Sequence, residues 1–165
     1  GDPHLYFEAS AVVITLVRRA SDDDLRDLKR LHDELERHAA AHDLDGYYRA
    51  NHVFHSRVQQ LARNRWLDRC TGDLRRFMRL MRGRQLALPG RIAASINEHR
   101  VLMDAFVQHD APRAERAMHD HLMAQLVALK KLRRSTLRKT ASNTARNLTR
   151  SAARAAAKPG ARHAR

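Results

Sequence analysis

Three histidines, His55, His99 and His121, lie on the apolar stripes of three different predicted helices. A buried imidazole must find a partner for each of its two ring nitrogens. A carbonyl or a hydroxyl group easily satisfies one such residue, whereas three of them on separate helices indicate a shared partner. A divalent metal is the simplest partner for several neutral imidazoles. The pattern therefore predicts a metal site between helices.

Asn51 precedes His55 by four residues, so both side chains project from the same face of one helix. Its amide oxygen adds a fourth donor to the three imidazole nitrogens. Nitrogen and oxygen donors of this kind suit Zn²⁺, Ni²⁺, Mn²⁺ or Fe²⁺, and a metal that prefers six ligands keeps two positions for water or a small anion. Taken singly, each histidine also fits a satisfied core residue. His52 and His119 lie one position off the stripes and are predicted surface groups.

The helices that carry these residues follow from the spacing of apolar side chains. Ser21, Asp43, Asn64 and Asp110 are predicted N-caps, and the Leu88-Pro-Gly90 segment is a predicted break. Short connections predict an antiparallel bundle. Periodicity gives six helices, over about 4–19, 22–41, 44–62, 65–83, 91–108 and 111–133.

The charge of the chain is concentrated at one end. The 165 residues include 32 Lys+Arg and 18 Asp+Glu, a formal net charge of +14, and the last 36 residues contain twelve basic groups and no acidic one. We therefore divide the chain into a bundle over residues 1–133 and a basic tail over 134–165, predicted to be disordered. The tail has no aromatic residue, and it fits either nonspecific binding of DNA phosphates or a solvated extension.

Cys70 is the only cysteine, which fits a reducing cytoplasm and excludes an intramolecular disulfide. No apolar run has the length of a membrane span, and no secretory signal precedes the first helix. We expect a cytoplasmic protein, associated with the nucleoid, and no membrane partner.

Several stretches resemble one known family. The run from Asp43 to His55 resembles the third-helix motif of the FCD effector-binding domain, the C-terminal half of FadR-type regulators in the GntR family of transcription regulators. The segments 88–91, 98–100 and 109–122 are similar to the rest of its signature. The similarity covers about residues 5 to 130, in the right order and spacing.

The resemblance implies an all-α fold, a six- to seven-helix antiparallel bundle with a central cavity for a metal and a ligand. It implies a divalent metal held by Asn51, His55, His99 and His121, with a small organic acid as effector. It also implies a homodimer and DNA binding through a winged-helix domain that this sequence does not include. An effector acts in such a protein by binding one dimer geometry better than another.

Two points in this chain bear on ligand binding. Many family members carry aspartate where this chain has Asn51, and a neutral amide is the weaker ligand. Arg75 and Arg79 lie one turn apart on the predicted fourth helix and could bind a carboxylate, although solvated side chains are the simpler interpretation.

Two other classes compete with a sensing domain. A metal-dependent hydrolase needs a general base near the metal, and Glu98, next to His99, is predicted to point to another face. In a nucleic-acid-compacting protein, the tail would act and the bundle would be a dimerisation core. We expect a regulatory domain without enzymatic activity.

Overall fold

The computed structural model describes residues 3–62 and 84–156 of the chain. These two stretches are helical, as the sequence predicts. They hold five α-helices, against the six or seven expected, and one short 3-10 helix at Arg84–Ala87. The α-helices are α1 (Pro3–Arg19), α2 (Asp22–Ala40), α3 (Leu44–Ala62), α4 (Arg91–Val107) and α5 (Ala111–Ala156). The predicted fourth helix, with Cys70, Arg75 and Arg79, lies outside the described residues.

The helix starts follow from local capping groups. Ser21 and Asp24 form a reciprocal capping box at α2, each side chain bonded to the other residue's backbone N–H at 3.1 Å. Asp43 Oδ1 accepts from Gly46 N–H at the start of α3, and Asp110 Oδ1 accepts from Arg113 N–H at the start of α5. Three of the four predicted N-caps are confirmed, and the fourth, Asn64, lies outside the described residues.

The core is built from the predicted stripes. α2 packs against both α3 and α4, and α1 packs against α3. Each helix contributes apolar side chains at three- and four-residue spacing, which places them on one face. The fully buried apolar side chains with the largest volumes are Tyr47, Phe54, Phe106, Leu16, Leu28, Leu35 and Leu102.

The C-terminal part of the chain differs from its prediction. Residues 134–156, expected to be disordered, continue α5 as helix. Ala, Leu, Arg and Lys are good helix formers, and neither proline nor glycine occurs between Arg113 and Lys158. The helix there has a local origin, because every described side chain from 133 to 150 is exposed.

Contacts divide the chain into two units, Gly1–Ala128 and Leu129–Arg165. The first is the helical bundle that holds all four predicted metal ligands. Among the described residues, no helix combines the length and the apolar character needed to cross a membrane.

Candidate metal centre

Helices α3, α4 and α5 bring the three predicted histidines to one point. His55 Nε2 lies 3.1 Å from His99 Nε2 and 3.3 Å from His121 Nε2. His99 and His121 are fully buried, and His55 retains some exposure. The three rings are packed closely, with centroids 4.6 to 5.1 Å apart. Each ring turns one nitrogen toward the other two.

These separations fit a shared metal ion. Two nitrogens that are each about 2.1 Å from one zinc ion lie about 3.0 to 3.4 Å apart at angles between about 90° and 109°. One ligand atom from each histidine lies within 4.8 Å of the others, and the three residues form a group that could hold a metal. The two separations that involve His55 Nε2, 3.1 and 3.3 Å, fall in the range that a tetrahedral or octahedral ion requires.

Two of the rings make a hydrogen bond through Nδ1, the nitrogen that faces away from the cluster, and this bond fixes their tautomer. His99 Nδ1 donates to the backbone carbonyl of Ser95 at 2.7 Å, and His121 Nδ1 donates to Glu98 Oε2 at 2.7 Å. With the proton on Nδ1, the Nε2 lone pair of each neutral ring faces the centre. Metal-binding histidines are oriented in this way by carbonyl and carboxylate groups.

The predicted orientation of Glu98 is wrong. Glu98 was expected to point away from the histidines, and instead its carboxylate accepts from His121 and forms a two-fold salt bridge with Arg91, with both N···O distances at 2.7 Å. Burial acts to raise the pKa of Glu98, but hydrogen bonds from His121 and Arg91 outweigh it and lower the pKa. Glu98 is an ionised positioning group, and its oxygens are already occupied.

Tyr47 supports the ring of His99 indirectly, through Ser95. Its hydroxyl donates to Ser95 Oγ at 2.9 Å, and the carbonyl of the same serine orients His99. Tyr47 and Ser95 are both almost fully buried. Burial raises the pKa of Tyr47 to about 12, so the phenol stays protonated and remains a donor. No local sequence pattern predicts this contact, because Tyr47 and Ser95 lie on different helices.

The electrostatics favour unprotonated imidazoles at the centre. Burial, together with the nearby His121 and His52, lowers the pKa of His55 to about 3. Burial also holds the pKa of His99 well below its usual range. Neutral rings offer lone pairs to a cation, whereas imidazolium groups would repel one another and the ion.

Two further side chains bear on the coordination of an ion. The Oδ1 atom of Asn51 is buried, and it has no hydrogen-bond partner within the described part of the chain. A buried carbonyl oxygen without a partner is costly, and a cation would satisfy it. Gln125 follows His121 by one turn, and its amide Nε2 lies 2.6 Å from His121 Nε2.

His32 is also buried, and it lies outside the cluster. Its ring lies edge-on to Phe54 with centroids 6.4 Å apart. The signal for its burial was present in the sequence, because His32 lies four residues after Leu28 and three before Leu35, on the apolar stripe of α2. His119, predicted at the surface, is partly exposed, with 44% of its side chain accessible to solvent.

A separate cavity of about 640 Å³ lies between the end of α2, the 3-10 helix and α4. Its lining includes Leu86, Ile92 and Ile96, with Glu36 and Arg100 in an ion pair beside it. None of the four predicted metal ligands is among its described lining residues. The cavity and the histidine cluster are therefore distinct features.

The fold and the cluster together define an all-helical domain of the kind that could bind a metal in its core. Residues 9–124 match the FCD domain family. The chain belongs to this family, the effector-binding domains of GntR-family transcription regulators. The resemblance noted in the sequence is thereby confirmed.

The structure is also similar to that of E. coli McbR/YncC, with a TM-score of 0.67 and 16% sequence identity. The similarity covers 78% of this chain and 65% of that chain, so this chain spans about two thirds of that protein's length. No curated protein sequence gives a significant match. At this identity the structural likeness supports the fold alone.

Proposed function

We propose that this domain senses a small organic acid through a divalent metal held by Asn51, His55, His99 and His121. The observation that carries the proposal is the convergence of three Nε2 atoms, two of them 3.1 and 3.3 Å from the third. Without a metal, the Nε2 atoms of the three imidazoles would face one another, and few N–H groups would be available to hydrogen-bond their lone pairs. An ion at the centre gives each lone pair a partner.

The donor set favours divalent transition metals over Mg²⁺ and Ca²⁺. Three imidazoles and an amide oxygen suit Zn²⁺, Ni²⁺, Mn²⁺ or Fe²⁺. Because all four ligands, including Asn51, are neutral, they do not compensate the positive charge of the ion. When bound, the metal offers open coordination positions to which a carboxylate can bind. The anionic effector would supply the negative charge that asparagine does not. His55 retains exposure, which favours access to the ion from its side.

Around the ion, the protein contributes orientation and the exclusion of water. Ser95 and Glu98 fix two rings, and Arg91 holds Glu98 in turn. This arrangement disfavours a hydrolase, because a general base must be free to take a proton from water, and Glu98 is engaged on both oxygens. The domain is proposed to act in regulation and not in catalysis.

The wider assembly follows from family membership. We propose that the domain forms a homodimer and that the longer protein binds DNA through a winged-helix domain. An effector would then shift the population of dimer geometries by its difference in affinity for them. Light scattering of the purified chain measures the oligomeric state, and a monomer at all concentrations would contradict the dimer.

Metal analysis tests the site. The purified chain is expected to bind one metal ion per protomer, and His55→Ala, His99→Ala and His121→Ala are each expected to lose it. His119→Ala is the matched control, because His119 lies on α5, two residues from His121, and is partly exposed. Full metal content in all three variants would refute the site.

A thermal-shift screen of organic acids tests the sensing. A true effector is expected to raise the melting temperature of the metal-loaded chain, and a chelator is expected to abolish that increase. Stabilisation that is equal with and without chelator would show that the acid binds elsewhere, for example in the cavity beside Arg100. Asn51→Asp is expected to strengthen metal binding and to weaken that of the anionic effector.

A further inference from the structure

The helical stretch between Lys131 and Arg150 presents its cations unevenly. With about 100° of rotation per residue, five exposed cations fall within a sector of about 120°. We call these residues the basic face: Lys131, Arg138, Lys139, Arg146 and Arg150. Arg134 lies about 40° outside this sector, and Lys130 and Arg133 lie on the opposite side of the helix.

The helical stretch that carries this face contains no acidic residue of its own, because Asp120 is the last acidic residue of the sequence. Arg138, Lys139, Ser142, Asn143 and Arg146 line a shallow depression of about 370 Å³. Within it, Arg146 donates to Asn143 Oδ1 at 3.0 Å. Arginine, lysine, serine and asparagine are the side chains that contact nucleic-acid phosphates.

The other faces of the stretch argue against a lipid partner. Leu137 and Leu148 are its exposed large apolar residues, 59% and 67% exposed, and the residues between them on that side are small. Helices that lie on membranes carry a broad apolar face with tryptophan, phenylalanine and several leucines. No aromatic residue follows Phe106 in the sequence, which also disfavours stacking on the bases of a single strand.

The threonines of the stretch are occupied within the helix. The hydroxyls of Thr136, Thr140, Thr144 and Thr149 each donate to the carbonyl four residues earlier, at 2.9 to 3.1 Å. Three of them lie outside the basic face. The side chains that remain available to a partner are therefore mainly the cations.

We propose that the basic face binds the phosphate backbone of duplex DNA without reading its sequence. From Lys131 to Arg150 the helix is about 28 Å long, close to the length of eight base pairs at about 3.4 Å each. The proposal goes beyond the sensing function and does not depend on it, because none of these residues belongs to the metal site.

Fluorescence anisotropy of the full chain with two 20-base-pair duplexes of unrelated sequence tests this binding. Both duplexes are expected to bind equally. If five phosphates are contacted, affinity falls about 500-fold between 50 and 200 mM salt, with a logarithmic slope of about −4.5. In Arg138→Gln/Arg146→Gln, the slope is expected to become about −2.7 and the affinity to fall at least about tenfold.

Lys130→Gln/Arg133→Gln is the matched control, since it removes the same charge from the opposite side of the helix. It is expected to change affinity by less than about threefold. Glutamine keeps a high helix propensity, and circular dichroism checks that both variants retain their helix. An equal loss of affinity in both variants would overturn the proposal, because binding would then depend on the total positive charge of the helix and not on the basic face.

Vesicles of anionic phospholipid provide the second arm. Binding to vesicles that is lost in Leu137→Ala/Leu148→Ala, together with no binding to duplexes, would overturn the proposal in favour of a membrane surface. Metal content is expected to stay unchanged in all these variants. A failure here is thus distinguishable from a failure of the metal site.

Discussion

Leu28 in α2 and Leu148 in α5 are the same residue type in the same secondary structure, but their surroundings differ completely. Leu28 is fully buried in the core, and Leu148 is 67% exposed. The bundle helices form because burying an apolar face offsets the entropy cost of ordering the chain. The stretch after Leu129 is helical with its side chains exposed, so intrinsic propensity maintains it. The first region is held by packing, and the second can be stabilised by a partner.

The largest expected effect compares these two leucines directly. Leu28→Ala is expected to lower the free energy of unfolding by about 2 to 5 kcal/mol, because it removes buried methyl groups and leaves a cavity. Leu148→Ala is expected to change it by less than about 0.5 kcal/mol. Urea unfolding followed by circular dichroism measures both. Similar losses for the two variants would mean that Leu148 is buried in solution, and the comparison would fail.

A smaller effect is expected at the group that positions His121. Glu98→Gln keeps the shape of the side chain and removes the charge that binds His121 and Arg91. We expect metal affinity to fall about 10- to 100-fold, as for other residues that orient a ligating histidine. Competition with a chromophoric chelator measures this affinity.

Glu34→Gln is the matched control, because Glu34 is exposed and pairs with Arg37 on the surface of α2. It is expected to leave metal affinity unchanged. If Glu98→Gln binds metal as tightly as the wild type, the orientation of His121 does not depend on the carboxylate.

The sequence predicted the bundle well because its signals are local. Capping groups such as Ser21 and Asp43 act within one helical turn, and the stripes carrying His55, His99 and His121 have a regular period. These signals suffice to predict that the three rings face the core. The distances between their Nε2 atoms depend on how the helices cross, which no local pattern contains.

Glu98 shows where such reasoning fails. It neighbours His99, so the helical period turns it about 100° away from that ring. A glutamate side chain is long, however, and its partner His121 comes from another helix. Arg91, two turns earlier on the same face, was the available signal, because a carboxylate seven residues after an arginine can pair with it. The length of α5 differs from its prediction for another reason. The basic, low-complexity composition of residues 134–156 favours disorder, whereas the intrinsic propensity of their alanine, leucine, arginine and lysine residues favours a helix.

The smallest expected effect concerns His32, which is buried without belonging to the metal centre. Its Nε2 has no hydrogen-bond partner within the described stretches and lies 3.9 Å from Glu36 Oε1. Burial lowers the pKa of His32; the charges of Lys29 and Arg100 act in the same direction, and those of Glu36 and Asp33 oppose it. In the unfolded chain this pKa returns to about 6.5.

The sign of the pH dependence follows from that difference. Below about pH 6.5, His32 is protonated in the unfolded chain but stays neutral in the folded protein. The free energy of unfolding therefore decreases as the pH falls, by up to about 1.4 kcal/mol for each unit by which folding lowers the pKa of His32. His32→Leu removes this contribution and is expected to lose less stability between pH 8 and pH 5 than the wild type. His55 and His99 remain in both proteins, so their contributions cancel in the difference. Equal losses over this pH range, measured by urea unfolding, would mean that folding does not lower the pKa of His32.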